Sequence, residues 1–419
     1  MRSLAAWLEQ QQKSHPSAID LDLTRVRGVA QRLGLLPPPF RVVTVAGTNG
    51  KGSTVAYLDA LLRVAGKRAG RFTSPHLVRY NERICIDGVE AGDAELILSF
   101  ERIEAVRGPT TLTFFEYNTL AALDLFMRAR VDVAVLEVGL GGRLDATNIA
   151  DADVGVVCSI GLDHVDWLGD SLEQIGREKA GIFRAHRPAV LGSDRMPASV
   201  WQVIDELRAV PVAPGREYHV RAHAHGDRWD FAFGAVRLLD LPLPPLAGEH
   251  QVGNAATALA AFFVGDFGSS PTQADVARAL GGVRVPGRFQ RVPGEVEWIL
   301  DVAHNVPAAE TLRDNLRRLP SAGRTLAICG ILADKDIRGI TATLAAEIDA
   351  WIPVTLAGPR AVSAEQIAQQ LPASSSVLVR AGDVAEACRA AHAATRPRDR
   401  VLVFGSFLTV GPALEFLGI

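Results

Sequence analysis

VVTVAGTNGKGST, residues 42–54, runs from an apolar stretch through a glycine-rich turn directly into a helical pattern, the order strand, phosphate loop, helix. Gly47, Gly50 and Gly52 let the backbone turn its N–H groups toward phosphate oxygens, and the positive end of the following helix adds to that attraction. Thr48 and Asn49 complete the turn, Lys51 reaches toward the terminal phosphates of a nucleoside triphosphate such as ATP, and the hydroxyl of Ser53 or Thr54 suits magnesium. The spacing departs from G-x-x-x-x-G-K-[ST]: the first glycine stands three residues before Gly50, and Gly52 separates lysine from hydroxyl, so the loop is a variant. Kinases, GTPases, motors and ligases all use such a loop, but the absence of Asn-Lys-x-Asp disfavours a guanine switch.

Outward from this turn, short β-branched runs alternate with helical patterns, the signature of βαβ units and a mainly parallel sheet. Strands are expected over 42–46, 131–138 and 153–159, and helices over 52–65 and 115–129. After about residue 212 aromatic residues alternate (Trp229, Phe231, Phe233) and the Pro-rich LPLPPLAG follows, which reads as an antiparallel excursion. A helix over 253–264 comes next, then a Pro- and Gly-containing linker over 284–294. Beyond it a second α/β series is expected, with strands near 298–302, 325–329, 351–355, 376–379 and 400–404. The expected architecture is therefore α/β, with an N-terminal P-loop domain over 1–287 and a smaller Rossmann-like domain over 288–419.

A chain of 419 residues exceeds one ordinary core, and 48% hydrophobic with 22% charged residues matches a globular enzyme. A net charge of −3 supplies no field to gather nucleic acid or an anionic membrane. The four cysteines, Cys85, Cys158, Cys329 and Cys388, are widely separated, which argues against a disulfide framework or a zinc site and for a reducing cytoplasm. The polar N-terminus does not read as a signal peptide, and no apolar run approaches a membrane span. A monomer without nucleic-acid or membrane partners is expected.

With the loop AGTNGKGS, the segments SPHLVRYNERI (74–84), LEVGLGGRLDATN (136–148), LDHVDWLG (162–169), GREKAGIF (176–183), HQVGNAATAL (250–259), PGRFQ (286–290), DVAHN (301–305) and GSF (405–407) resemble folylpolyglutamate synthase, within the Mur ligase superfamily. The likeness is nearest to its bifunctional bacterial form, dihydrofolate synthase/folylpolyglutamate synthase, and covers nearly the whole chain in order. It implies a P-loop Mur-type central ATPase domain joined to the Rossmann-like domain. The implied activity is ATP-dependent ligation of L-glutamate to dihydropteroate and to reduced folates. A carboxylate is a poor electrophile, and transfer of the γ-phosphoryl group gives it a competent leaving group. Such an enzyme must hold acid, amine and ATP in line and exclude water, which two closing domains would do.

The resemblance also implies roles residue by residue. Two Mg2+ ions would be held by Ser53, Ser74, Glu137, His164 and Lys179, with Lys179 carbamylated so that a cation becomes an oxygen ligand. Lys51, Lys179, His164 and Glu137 would carry the catalysis. Asn254, Arg288 and Asp301 would join Gly47 to Thr54 in binding ATP. Ile19, Leu21, Thr113, Phe115 and Asp145 would hold the pterin, whose flat ring needs apolar faces and a few polar edge contacts. His304 and Ser406 would hold glutamate, and SPHLVRYNERI would form a mobile loop over the pterin. Taken singly, Glu137 reads first as a solvated strand end and His164 first as a loop or core histidine, while Lys179 reads also as an exposed lysine paired with Glu178 or Glu173, and Arg288 also as a rim arginine paired with a carboxylate. Val306-Pro307 stands where the family has Pro-His, which puts the turn after Asn305 in question. Asp334 and Asp336, in ADKD, resemble the family but suit a solvated loop as well. A monofunctional folylpolyglutamate synthase and a cell-wall amino acid ligase are the related alternatives. A nucleotide-binding scaffold is the unrelated one.

Overall fold

The computed structural model describes residues 2–223, 227–246, 248–268, 270–320, 323–358 and 360–419. The chain divides into two compact units. One comprises Met1–Pro75, Asn81–Pro245 and His250–Val283; the other comprises His76–Tyr80, Leu246–Glu249 and Arg284–Ile419.

The first unit is built on strands β1 (Arg41–Ala46), β2 (Ala69–Phe72), β3 (Ile84–Ile86), β4 (Val89–Glu90), β5 (Val133–Glu137), β6 (Val154–Val157), β7 (Pro188–Leu191) and β8 (Val210–Val212). Their order across the sheet is β4-β3-β2-β5-β1-β6-β7-β8, parallel except for β3 and β4. β5 and β6 are buried throughout and β1 is buried beyond Arg41, as expected of strands covered on both faces. Helix Lys51–Val64 carries the chain from β1 past β5 to β2, whereas β5 connects across β1 to β6. The connections therefore diverge about β1 and β5, and ligands of open α/β sheets bind at the carboxyl ends of such strands.

Helix His250–Gly265 packs on helix Lys51–Val64. Ala255, Ala256, Ala258, Ala260 and Ala261 are fully buried on it, small enough for close approach. Strands β9 (Tyr218–Ala222), β10 (Arg228–Phe233) and β11 (Val236–Pro242) form the antiparallel excursion, with a register shift between Trp229 and Phe231. The ring of Phe231 stacks 6.2 Å from that of Phe263 on helix His250–Gly265.

The second unit holds β12 (Gln290–Val292), β13 (Glu297–Asp301), β14 (Thr325–Cys329), β15 (Ala350–Pro353) and β16 (Arg400–Phe404), in the order β12-β13-β16-β14-β15. All pairs are parallel except β12 with β13. Two expectations are corrected here. The linker over 284–294 includes β12, an edge strand of this sheet. Residues 376–379 form no strand and touch β15 through the single bridge Trp351 to Val377. Residues 76–80 count with this unit because Leu77 packs into its core beside Val302 and Val410.

Candidate active site

The glycine turn leaves β1 with Gly47 at φ +152° and Gly50 at φ +87°, the latter being the left-handed residue that starts helix Lys51–Val64. The first amides of a helix have no intrahelical acceptor, which leaves such donors for an anion. Lys51 Nζ folds back over the turn, donating to Gly47 O at 3.0 Å and Thr48 O at 3.2 Å. The turn is tied to the residues after β6: Thr48 N donates to Ser159 O at 2.8 Å, Thr48 Oγ1 to Gly161 O at 3.0 Å, and Asn49 N to Ser159 Oγ at 3.1 Å. Asn254, on helix His250–Gly265, lies against it, since a Cβ on Gly50 would stand 2.6 Å from Asn254 Oδ1. Ser53 and Thr54 are both buried, and Thr54 Oγ1 accepts from Cys158 Sγ at 3.3 Å.

Glu137 ends β5 and is 4% exposed; its Oε2 accepts the Ser74 N–H at 3.1 Å. Lys179 lies on helix Leu172–Ala180 at 5% exposure. Burial first, then the charge of Lys51, lowers its pKa to about 7, against the pull of Asp163 and Asp145. The solvated-lysine reading is thereby corrected: Glu178 pairs with Arg143 at 2.8 Å and Glu173 accepts from Ala198 N and Ser199 N. The charges of Lys51, Glu137 and Lys179 all bear on Cys158, whose thiol burial pushes up to about 11. His164 follows β6 in the left-handed conformation, its N–H donating to Asp163 Oδ1 at 2.9 Å. Among the described residues no three His, Cys, Asp or Glu side chains group as a metal site. The expected set holds only Glu137 and His164 of those types; its hard-oxygen donors would be the Glu137 carboxylate, the Ser53 and Ser74 hydroxyls and the expected Lys179 carbamate.

Of the residues expected to hold the pterin, Asp145 acts on Lys179 and Phe115 lies beside Gly139, two residues beyond Glu137. A Cβ on Gly139 would meet the Phe115 ring at 2.6 Å, and the Gly139 N–H donates to Asp145 Oδ2 at 3.0 Å. Asp145 is 2% exposed and also accepts from Leu140 N, Thr147 N and Thr147 Oγ1. Burial nevertheless raises its pKa. Thr113 caps helix Phe114–Ala129 in a reciprocal box with Glu116, and the Phe115 ring lies 5.7 Å from Phe72. Ile19 and Leu21 sit half-buried in an irregular segment.

In the second unit, Arg288 stacks 5.2 Å over the Phe407 ring. Its charge and that of His304 oppose the burial that raises the Asp301 pKa. Asp301 accepts from Phe289 N and Ala303 N, His304 Nδ1 lies 2.8 Å from Val302 O, and Ser406 caps helix Phe407–Leu417 through Leu408 N at 3.1 Å. Asp301 ends β13 opposite Phe404 of β16, so Arg288, Asp301, His304 and Ser406 come together at one end of that sheet.

Residues 45–262 match the Mur ligase middle domain, and residues 287–407 match the Mur ligase glutamate ligase domain. The dihydrofolate synthase/folylpolyglutamate synthase of Escherichia coli is 46% identical over 414 residues, covering 99% of this chain and 95% of that protein. The chain belongs to the dihydrofolate synthase/folylpolyglutamate synthase family. The enzyme of the same name from Mycobacterium tuberculosis is 34% identical, over 84% of this chain and 77% of its own. The solved E. coli FolC in complex with DHPP and ADP superposes with a TM-score of 0.92 at 46% identity, over 99% of this chain and 98% of that one. A bifunctional folylpolyglutamate synthase/dihydrofolate synthase solved with Mn, AMPPNP and L-glutamate bound gives 0.91 at 43% identity, over 100% and 98%.

Within this family frame, the departure at Val306-Pro307 leaves the turn intact. Asn305 caps helix Val306–Arg317, its Oδ1 accepting Ala308 N at 3.0 Å, and Pro307 falls in the first turn, where an N–H has no intrahelical partner. Asp336 caps helix Ile337–Leu344, and Asp334 pairs with Arg360 and Lys335. Sequence reasoning missed Cys158, Ser159 and Asp163; their signal was position, since all follow β6, the neighbour of β1. A separate cavity of about 740 Å3, lined by Arg27, Pro38, Arg41, Asp132, Asp153 and Arg187, lies at the opposite ends of the strands from the glycine turn.

Proposed function

We propose that the chain is an ATP-dependent amide ligase that adds L-glutamate to dihydropteroate, and to the side-chain carboxylate of reduced folates, through an acyl phosphate. One observation carries this reading: Lys51, Glu137 and a buried lysine with a pKa near 7 surround one point at the carboxyl ends of β1, β5 and β6.

The turn amides and Lys51 hold the triphosphate and meet the charge that develops on the transferring phosphoryl group. A divalent ion, assigned here as Mg2+, fits Ser53, Ser74, Glu137 and His164 and would neutralise phosphate charge. Lys179 suits carbamylation because its neutral amine is accessible near pH 7: Nζ bonds to the carbon of CO2, one N–H proton leaves, and an anionic oxygen ligand replaces a buried cation. Ile19, Leu21, Thr113, Phe115 and Asp145 are assigned to the pterin, which fixes the carboxylate for attack on the γ-phosphorus as ADP departs. Glutamate, assigned to His304 and Ser406, then attacks the acyl carbon through its amine, losing a proton as phosphate leaves. Arg288, Asp301 and Asn254 are assigned to the nucleotide. No described helix is long and apolar enough to cross a membrane, and all four cysteines are free and buried, which suits a reducing cytoplasm.

The test is phosphate release from ATP with glutamate and either dihydropteroate or tetrahydrofolate as the acid. Turnover with both is expected. Silence with dihydropteroate would remove the first activity, and silence with both would remove the reading.

A further inference from the structure

Residues 13–22 form an irregular stretch between helices Leu4–Gln12 and Leu23–Arg32, with no strand pairing to order it. Polar side chains fasten it to the chain that leads into helix Phe114–Ala129. Ser14 Oγ donates to Leu112 O at 2.7 Å, and His15 Nδ1 lies 2.9 Å from Thr111 Oγ1 while its Nε2 lies 3.1 Å from Asp20 Oδ2. Arg25 closes the clasp. Its Nη1 meets Asp20 Oδ2 at 2.8 Å, and its Nη2 donates to Asp20 O at 3.1 Å and to Glu116 Oε1 at 3.2 Å.

Glu116 is the inner anchor. Its side chain is 4% exposed, and burial raises its pKa against the pull of the Thr113 amide and the Arg25 charge. Its other oxygen, Oε2, accepts the Thr113 N–H at 2.7 Å. A carboxylate this buried is costly unless paired, so the clasp and the Thr113 cap depend on the same group. The apolar Ile19 and Leu21 lie on the fastened stretch, and Thr113 and Phe115 precede Glu116 by three residues and one.

We infer that Arg25, with Asp20 and Glu116, is a positioning residue that sets specificity for the acid substrate by holding Ile19 and Leu21 over the Thr113–Phe115 turn. The inference rests on the pterin assignment above. Preorganisation of this kind acts on apparent affinity, because only the ordered fraction of the segment binds.

The experiment compares Arg25→Met, Glu116→Gln and their double variant in steady-state kinetics of the full chain. Glu116→Gln keeps an acceptor for the Thr113 N–H but removes the ion pair. Each single variant is expected to raise KM for dihydropteroate roughly tenfold, with kcat and KM for ATP within about twofold of wild type. The double variant is expected to be no worse than either single, since both break one interaction. An unchanged KM for dihydropteroate would overturn the inference, as would multiplicative effects or a parallel loss in kcat and ATP affinity. If Arg25→Met does not fold, Glu116→Gln decides by the same split. Phe115→Ala separates the two levels: an unchanged KM there withdraws the pterin assignment and the clasp with it, whereas a raised KM there beside an unaffected Arg25→Met overturns the clasp alone.

Discussion

Lys179 shows how burial changes the proton affinity of a common residue. In the unfolded chain its pKa returns toward about 10.4, against about 7 in the fold, so between these values the unfolded state binds the extra proton. Stability then rises with pH across that window, and the penalty is fully present below pH 7. In bicarbonate-free buffer, urea unfolding of wild type should gain on Lys179→Met by on the order of 1.4 kcal/mol per pH unit from pH 7.5 to 9; a parallel pH dependence of the two would contradict the placement. Lys179→Ala should lose turnover and regain part of it with added short carboxylic acids, whereas a nucleotide scaffold would be indifferent. Gly50 makes a complementary point. Alanine there faces a left-handed φ of +87° and an atom of Asn254 2.6 Å from its Cβ, so strain of about 1–2 kcal/mol adds to a clash. Calorimetric titration with ADP should show at least roughly tenfold weaker binding for Gly50→Ala, the equivalent of about 1.4 kcal/mol; unaltered affinity would show that the turn tolerates a side chain.

At the scale of elements, what could be read from the sequence followed burial on two faces. β1, β5, β6, β13, β14 and β16 are nearly continuous apolar runs because helices cover parallel sheets, and such runs announce themselves. β4 has two residues and β12 three, too short for any alternation to emerge, and both lie on sheet edges. The stretch 376–379 fails for the converse reason: SVLV is short and apolar beyond Ser376, but only one bridge holds it. The site divides in the same way. Gly47 to Thr54 could be read because strand, turn and helix are contiguous, whereas Cys158, Ser159 and Asp163 act through a neighbouring strand that only the sheet order brings to β1. The helix after Asn305 supplies a direct check. Asn305→Ala removes the cap and should cost about 1 kcal/mol in urea unfolding, while Pro307→Ala should change stability by less than about 0.5 kcal/mol. Equal, large losses would mean that Pro307 holds the turn.

For the whole molecule, each compact unit gathers its own residue set: Lys51, Glu137, Asp145, Cys158, Asp163 and Lys179 in the first, and Arg288, Asp301, His304 and Ser406 in the second. The first set is the one proposed above to serve phosphoryl transfer to a carboxylate. A path through an acyl phosphate moves one carboxylate oxygen into the released phosphate, since the bond that finally breaks joins the acyl carbon to that oxygen. Dihydropteroate labelled with 18O in its carboxylate, turned over with ATP and glutamate, should therefore yield phosphate carrying one 18O per turnover by mass spectrometry. Unlabelled phosphate beside labelled dihydrofolate, or label appearing in AMP, would contradict the account.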